Sequence, residues 1–172
     1  MTNPLGPVVV RLSEIDDVPA LLDIFQQCEA EAAPATNSAD HDKGICLLDV
    51  LDWQESSSAR HPLLVVERQG EVIAWCALEP FYGLPAFDLA LEISLYVMPA
   101  WQGCGVGQAV FRYIVAHRDE IVFTHLVAYV YASNVNSRTF FSRQGFEQWG
   151  RLPRIARHQG VQEDVLLLGR IF

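Results

Sequence analysis

Long apolar runs are missing from this chain. No segment approaches the ~20 residues that a helix needs to cross a bilayer, so a membrane-spanning helix is not expected. The opening residues, Met1-Thr2-Asn3-Pro4-Leu5-Gly6-Pro7, hold no basic stretch followed by an apolar one. A secretory leader is therefore not expected, and the expected location is the cytoplasm. Positive charge is scarce too: 12 Lys and Arg stand against 21 Asp and Glu, a net charge of −9. That is the wrong sign for a nucleic-acid face. Cys28, Cys46, Cys76 and Cys104 are scattered, with no Cys-x-x-Cys and no His at zinc spacing. Neither a disulfide framework nor a metal site is expected. Repeats, linkers and low-complexity tracts are absent, so residues 1–172 are read as a single domain, long enough to bury a core.

What is present reads as alternating strands and amphipathic helices. Val8-Val9-Val10 with Leu12 makes an opening strand, and Ser13, Asp16 and Asp17 are cap candidates ahead of Pro19. Ile15, Val18, Leu21, Leu22 and Phe25 then share one helical face, in a helix expected to end near Ala30 to Ala33. Ile45, Leu47, Leu48, Val50, Leu51 and Trp53 suggest a second helix starting after Asp40 or Asp42. Pro62 to Glu67 and Val72 to Leu78 are β-rich runs around Arg68-Gln69-Gly70-Glu71, the pattern of a hairpin. Another strand is expected at His125 to Tyr131, then a short helix capped by the Asn134-Val135-Asn136-Ser137 cluster and stopped by Gly145. Three short runs, Phe146 to Trp149, Arg154 to Arg157 and Val165 to Ile171, fill the C-terminal strand region, punctuated by Gly150, Pro153 and Gly160. The order β-α-α-β-β-β-α-β-α-β-β predicts an α/β (α+β type) fold with a mixed, mostly antiparallel sheet.

The informative stretch is Glu92 to Phe111. Leu91, Ile93, Leu95 and Val97 alternate as in a strand, and Pro99 ends it. Gly103, Gly105 and Gly107 then make a turn whose backbone can approach a ligand closely. Val106, Val110, Tyr113, Ile114 and His117 follow at helical spacing. A helix N-terminus with unspent N–H groups attracts an anion. The stretch has no Gly-Lys-Ser/Thr for a Walker loop, and Gln108 stands where a dinucleotide fingerprint needs its third glycine. What it does contain is Gln/Arg-x-x-Gly-x-Gly/Ala, as Gln102-Gly103-Cys104-Gly105-Val106-Gly107.

This pattern resembles the acyl-coenzyme A pyrophosphate loop of the GNAT superfamily of N-acyltransferases. Asn134-x-x-Ser137 and Phe140-Phe141-Ser142-Arg143-Gln144-Gly145-Phe146 look like the family's later segment. With Glu92-x-Ser94-x-Tyr96-Val97 and Gly150-Arg151-Leu152, the chain looks most like the phosphinothricin and methionine-sulfone N-acetyltransferase group from about Val8 to Phe172. The resemblance implies transfer of an acetyl group from acetyl-coenzyme A to a small-molecule amine, with no metal. Glu92 is implied as the base that takes the amine proton. The backbone from Gln102 through Gly103, Cys104, Gly105, Val106 and Gly107 is implied to hold the pyrophosphate. Tyr96, Val97 and Met98 are implied beside the pantetheine arm, where strand N–H groups receive the oxyanion. Asn134, Ser137 and Phe141 are implied on the coenzyme side, and a homodimer is one assembly the resemblance implies.

Two departures stand out. Phe141 lies four positions before Gly145, where relatives carry a Tyr or His that protonates the leaving thiolate. An alkyl thiol has a pKa of ~8.5, so its thiolate leaves well near neutral pH without that acid. Tyr129 and Tyr131 are alternative donors. The stretch Phe81 to Asp88 also lacks the group's basic residues. Phe81, Tyr82 and Phe87 are therefore expected to line an apolar acceptor site, whereas Trp75 is expected in the core. A protein or peptide N-terminal acetyltransferase and a weakly catalytic acyl-coenzyme A sensor are the alternative readings.

Overall fold

The computed structural model describes residues 6–32, 44–158 and 160–172. Its strands are β1 (Val9–Leu12), β2 (Leu63–Arg68), β3 (Glu71–Pro80), β4 (Ala90–Val97), β5 (His125–Tyr131), β6 (Glu147–His158) and β7 (Val161–Ile171). The helices are α1 (Val18–Ala32), α2 (Leu47–Ser56), α3 (Val106–Ala116), α4 (Arg118–Ile121) and α5 (Val135–Arg143). The strands hydrogen-bond in the order β1-β2-β3-β4-β5-β7-β6. β4 and β5 run parallel, and the pairs β1–β2, β2–β3, β5–β7 and β6–β7 run antiparallel. This is the mixed, mostly antiparallel sheet that the sequence predicts.

Packing divides the chain into two compact units, with β3 and β4 contributing to both. Of the described residues, the first holds 6–31, 45–78 and 95–122. Its α1 starts where the sequence predicts: Pro19 falls in the first turn, where its missing N–H is harmless, and Asp17 accepts the N–H of Glu14 at 2.7 Å. Arg11 grips the same carboxylate at 2.7 and 2.9 Å, which holds Asp17 well below the usual carboxylate range. Val18, Leu21 and Ile24 on the inner face of α1 pack with Val50, Leu63, Val65 and Trp75. Trp75 is 2 % exposed and donates its indole N–H to the Leu21 carbonyl at 3.1 Å, which makes it the core residue expected. The β2–β3 hairpin turns on Gln69 (φ 53°) and Gly70 (φ 83°), two consecutive positive-φ residues that suit the twist of the strands. Helix α2 begins at Leu47; the Asp40 and Asp42 starts considered from the sequence lie outside the described residues.

Of the described residues, the second unit holds 32, 44, 79–94, 123–158 and 160–172. The two strands that the element order predicts after the last helix are present, but the three short runs read for them are corrected to two long, continuous strands. Gly150 and Pro153 lie inside β6 and do not end it, because irregularities absorb them. One register shift falls between Gln148 and Gly150, the other between Leu152 and Ala156. Arg154 takes φ 50°, and its N–H reaches Asp164 at 2.7 Å, while Arg151 bonds the other oxygen of that carboxylate at 2.5 Å. The bulged-out Trp149 lies flat over Gly169: a Cβ at Gly169 would fall 2.1 Å from the indole ring. Gly169→Ala is therefore expected to displace the ring and lower stability by about 1–3 kcal/mol, an overpacking cost that urea unfolding measures directly.

Candidate active site

Strand β4 links two sets of residues. At its C-terminal end, in the first unit, the chain leaves the sheet after Val97. Met98 donates its N–H to Ile73 at 2.9 Å, and a single 3-10 turn, Pro99–Trp101, follows. Gln102 folds its side-chain amide back onto the Val97 carbonyl at 3.2 Å, which ties the turn to the strand end. The Cys28 thiol meets the same carbonyl at 3.2 Å, and burial pushes that thiol up to about 11. Gly103 (φ 73°) and Gly105 (φ 92°) take left-handed conformations that L side chains rarely adopt, and Gly105 is the cap from which α3 starts. Helix α3 is held by buried Val106, Val110, Phe111 and Ile114.

The loop fits a pyrophosphate. Ala109 donates to the Gly105 carbonyl, but the N–H groups of Gly103, Gly105, Val106, Gly107 and Gln108 have no backbone acceptor among the described residues. A Cβ at Gly103 or Gly105 would enter open space. Unspent donors and a bare backbone at a helix N-terminus are what a phosphate group requires.

At the other end of β4, in the second unit, stands Glu92. It is half-buried, and its side chain has no hydrogen bond or ion pair among the described residues. Burial, followed by the nearby Glu79 carboxylate, pushes its pKa up. Glu92 pairs with Val127 of β5, and Tyr129 lies two residues further along that strand. Burial and Glu92 together raise the Tyr129 phenol. Tyr129, one of the two tyrosines considered as alternatives, is thus in electrostatic reach of Glu92. The β3–β4 connection carries Phe81, Tyr82 and Phe87 with rings in contact, at 6.3 Å for Phe81–Phe87 and 5.2 Å for Tyr82–Phe87.

The remaining expected residues sit on or before α5. Asn134 caps the helix by accepting the Ser137 N–H at 3.0 Å. Phe141 is 5 % exposed, with its ring against Phe140 and Phe146, so the structure places it in apolar packing. Among the described residues no group of three or more His, Cys, Asp and Glu could hold a metal ion, and no helix is long and apolar enough to cross a membrane. Sequence reasoning did not single out Glu79, Trp149 or the bond that occupies the Met98 N–H. All three depend on pairing between strands, which no local pattern encodes.

The Acetyltransferase (GNAT) family matches residues 19–146, and the chain belongs to that family. It is an acyltransferase. YwnH of Bacillus subtilis (strain 168), provisionally named a phosphinothricin acetyltransferase, is 29% identical over 164 residues, spanning 95% of this chain and 98% of YwnH. The L-methionine sulfoximine/L-methionine sulfone acetyltransferase of Salmonella typhimurium (strain LT2) is 23% identical over 162 residues, spanning 94% of this chain and 92% of its own. Among solved structures, yncA of Salmonella typhimurium with its cofactor acetyl-CoA superposes with a TM-score of 0.82 at 21% identity, covering 96% of this chain and 94% of yncA.

Proposed function

We propose that the protein transfers the acetyl group of acetyl-coenzyme A to the nitrogen of a small-molecule amine, with Glu92 as the base. The observation that carries this reading is a half-buried carboxylate without a partner among the described residues, on the strand that runs into a phosphate-ready glycine loop. The coenzyme supplies an acetyl group activated as a thioester. The N–H groups of Gly103 and of Gly105 to Gln108 hold its pyrophosphate, and Gln102 fixes the loop that presents them.

Glu92 takes a proton from the ammonium form of the acceptor, which frees the nitrogen lone pair to form the new C–N bond. The C–S bond breaks with its electron pair on sulfur. The second nitrogen proton ends on the thiolate, directly or through water, so the products are an amide and free coenzyme A. The Met98 N–H is spent on Ile73 and is withdrawn as an oxyanion donor. Because donors alternate between the two edges of a strand, Val97 offers the N–H on the other side. Asn134 is kept as a contact to the coenzyme through its amide nitrogen, since its oxygen serves the cap. Tyr129, held neutral, is the phenol assigned to relay that second proton, accepting it from nitrogen as it gives its own toward sulfur.

Calorimetry with acetyl-coenzyme A, followed by free-thiol release across an amine panel, tests the reading. Submillimolar binding with amine-dependent thiol release is expected. No binding would overturn the assignment of the loop. Binding without turnover on any amine would replace the enzyme with an acyl-coenzyme A sensor.

A further inference from the structure

We propose that the acceptor is a cationic amine with an aromatic or aliphatic body and no carboxylate, its ammonium group held between Glu92 and Glu79. The inference rests on the N-acetyltransferase reading above and names the substrate class of that site. It starts from strand register. Phe81, just past the end of β3, donates its N–H to the Ala90 carbonyl at 3.1 Å, and Met98 donates to Ile73 at 2.9 Å; β3 and β4 are neighbours in the sheet, and two bonds that run in opposite senses along them set an antiparallel register. Two residues back along β3 and two residues on along β4, Glu79 stands opposite Glu92. The stacking of Trp75 on Tyr96 obeys the same register.

Paired residues share a face of the sheet. Glu92 pairs with Val127, and Val127 pairs with Gly169, over which the Trp149 ring lies. The neighbouring row on the same face carries Phe81, Ala90 and His125, and the His125 ring meets Trp149 at 6.2 Å. Tyr129 is two residues beyond Val127 and so faces the same way.

This face therefore sets two carboxylates among Phe81, Tyr129 and Trp149. Tyr129 and Trp149 are 44 % and 42 % exposed, so their rings are open to a ligand. Like charges directly opposite on adjacent strands destabilise a sheet, and neither glutamate has an ion pair among the described residues. A bound ammonium ion relieves that repulsion, and aromatic faces attract the same charge. A carboxylate on the acceptor would meet both glutamates. The segment from Glu79 to Ser94 holds no Lys or Arg to receive one.

A matched pair of acceptors tests this with the intact protein at saturating acetyl-coenzyme A. Phenethylamine and phenylalanine differ only by the carboxylate. Phenethylamine is expected to surpass phenylalanine in kcat/KM by a factor of about 100 or more, and to surpass phosphinothricin and methionine sulfone as well. Equal or better turnover of any of the three carboxylate-bearing amines overturns the inference and leaves the N-acetyltransferase reading standing. No turnover of phenethylamine, with coenzyme bound, overturns the inference, and the N-acetyltransferase reading falls with it only when the whole amine panel is also inert. Glu79→Gln provides a second readout at an exposed position. With phenethylamine as acceptor, this variant is expected to show a KM raised about tenfold. It should also move the acid limb of the kcat/KM profile to lower pH, since Glu79 is the charge facing Glu92 from β3 while Tyr129 and His125 face it from β5. An unchanged KM and an unmoved limb would overturn the role of Glu79.

Discussion

Glu92→Gln is expected to lower kcat by about 10²- to 10⁴-fold while leaving the affinity for acetyl-coenzyme A unchanged. Glutamine preserves the shape of the side chain and removes the only group assigned to receive the amine proton. The pH dependence carries the sharper signature. Glu92 works as a base only when ionised, and burial and Glu79 raise its pKa. Wild-type kcat/KM should therefore fall as pH drops through that raised value, and the variant should lose this limb.

The same shift fixes the sign of a stability effect. The folded protein holds the Glu92 proton more tightly than the unfolded chain does. Stability therefore declines as pH rises from the ordinary glutamate value through the raised one, and the cost persists above it. Glu92→Gln removes a charge that the fold disfavours. Its Tm should equal or exceed wild type at pH 8, and the difference should vanish well below the ordinary glutamate pKa. Loss of activity with a lower Tm at pH 8 would instead make Glu92 a structural partner.

Gly105→Val should abolish coenzyme binding in the working range, with Kd raised about 100-fold or more, equivalent to roughly 2.7 kcal/mol. Two effects act together. At φ 92° a β-branched residue is strained by about 1–3 kcal/mol, and its methyl groups enter the open space above the loop where the phosphates are assigned. Gly70→Val separates the two. Gly70 has φ 83° in the β2–β3 turn and the same open surroundings, but lies outside the glycine loop. It should lose comparable stability and keep its affinity. Calorimetry and thermal unfolding on both variants make the comparison, and equal affinity loss in the two would show that strain alone explains the effect at Gly105.

The strand-loop-helix from Ala90 to Ala116 was legible because independent local signals coincide there. Alternation stops at Pro99, glycines stand where φ turns positive, and an apolar helical face begins at Val106. The β2–β3 hairpin was legible for the same reason, through Gln69-Gly70. What escaped was anything set by pairing at a distance. Glu79 gains its meaning only from the β3–β4 register, ten or more residues away along the chain. Met98 looks like a free donor until Ile73 is seen to accept from it. The two C-terminal strands read from the sequence as shorter runs than they are, because a bulge disrupts alternation in the same way that a turn does. Asn134 was readable both as a cap and as a ligand contact. The cap is observed, and it engages only the amide oxygen.

Strand β6 behaves like a reading frame. Between Gln148 and Gly150 it advances two residues while β7 advances one, from Leu168 to Leu167. That single extra residue shifts the phase, so the paired residues Arg151, Leu152, Ala156 and Arg157 face the side opposite to the one simple alternation would assign. Between Leu152 and Ala156 it advances four residues against two on β7, from Val165 to Glu163, which leaves the phase intact. Length changes around Pro153 to Ile155 should therefore be tolerated in twos and not in ones. A deletion of Trp149 would act as a frameshift, turning the residues up to the hairpin end inside out as well as removing a ring from the acceptor face.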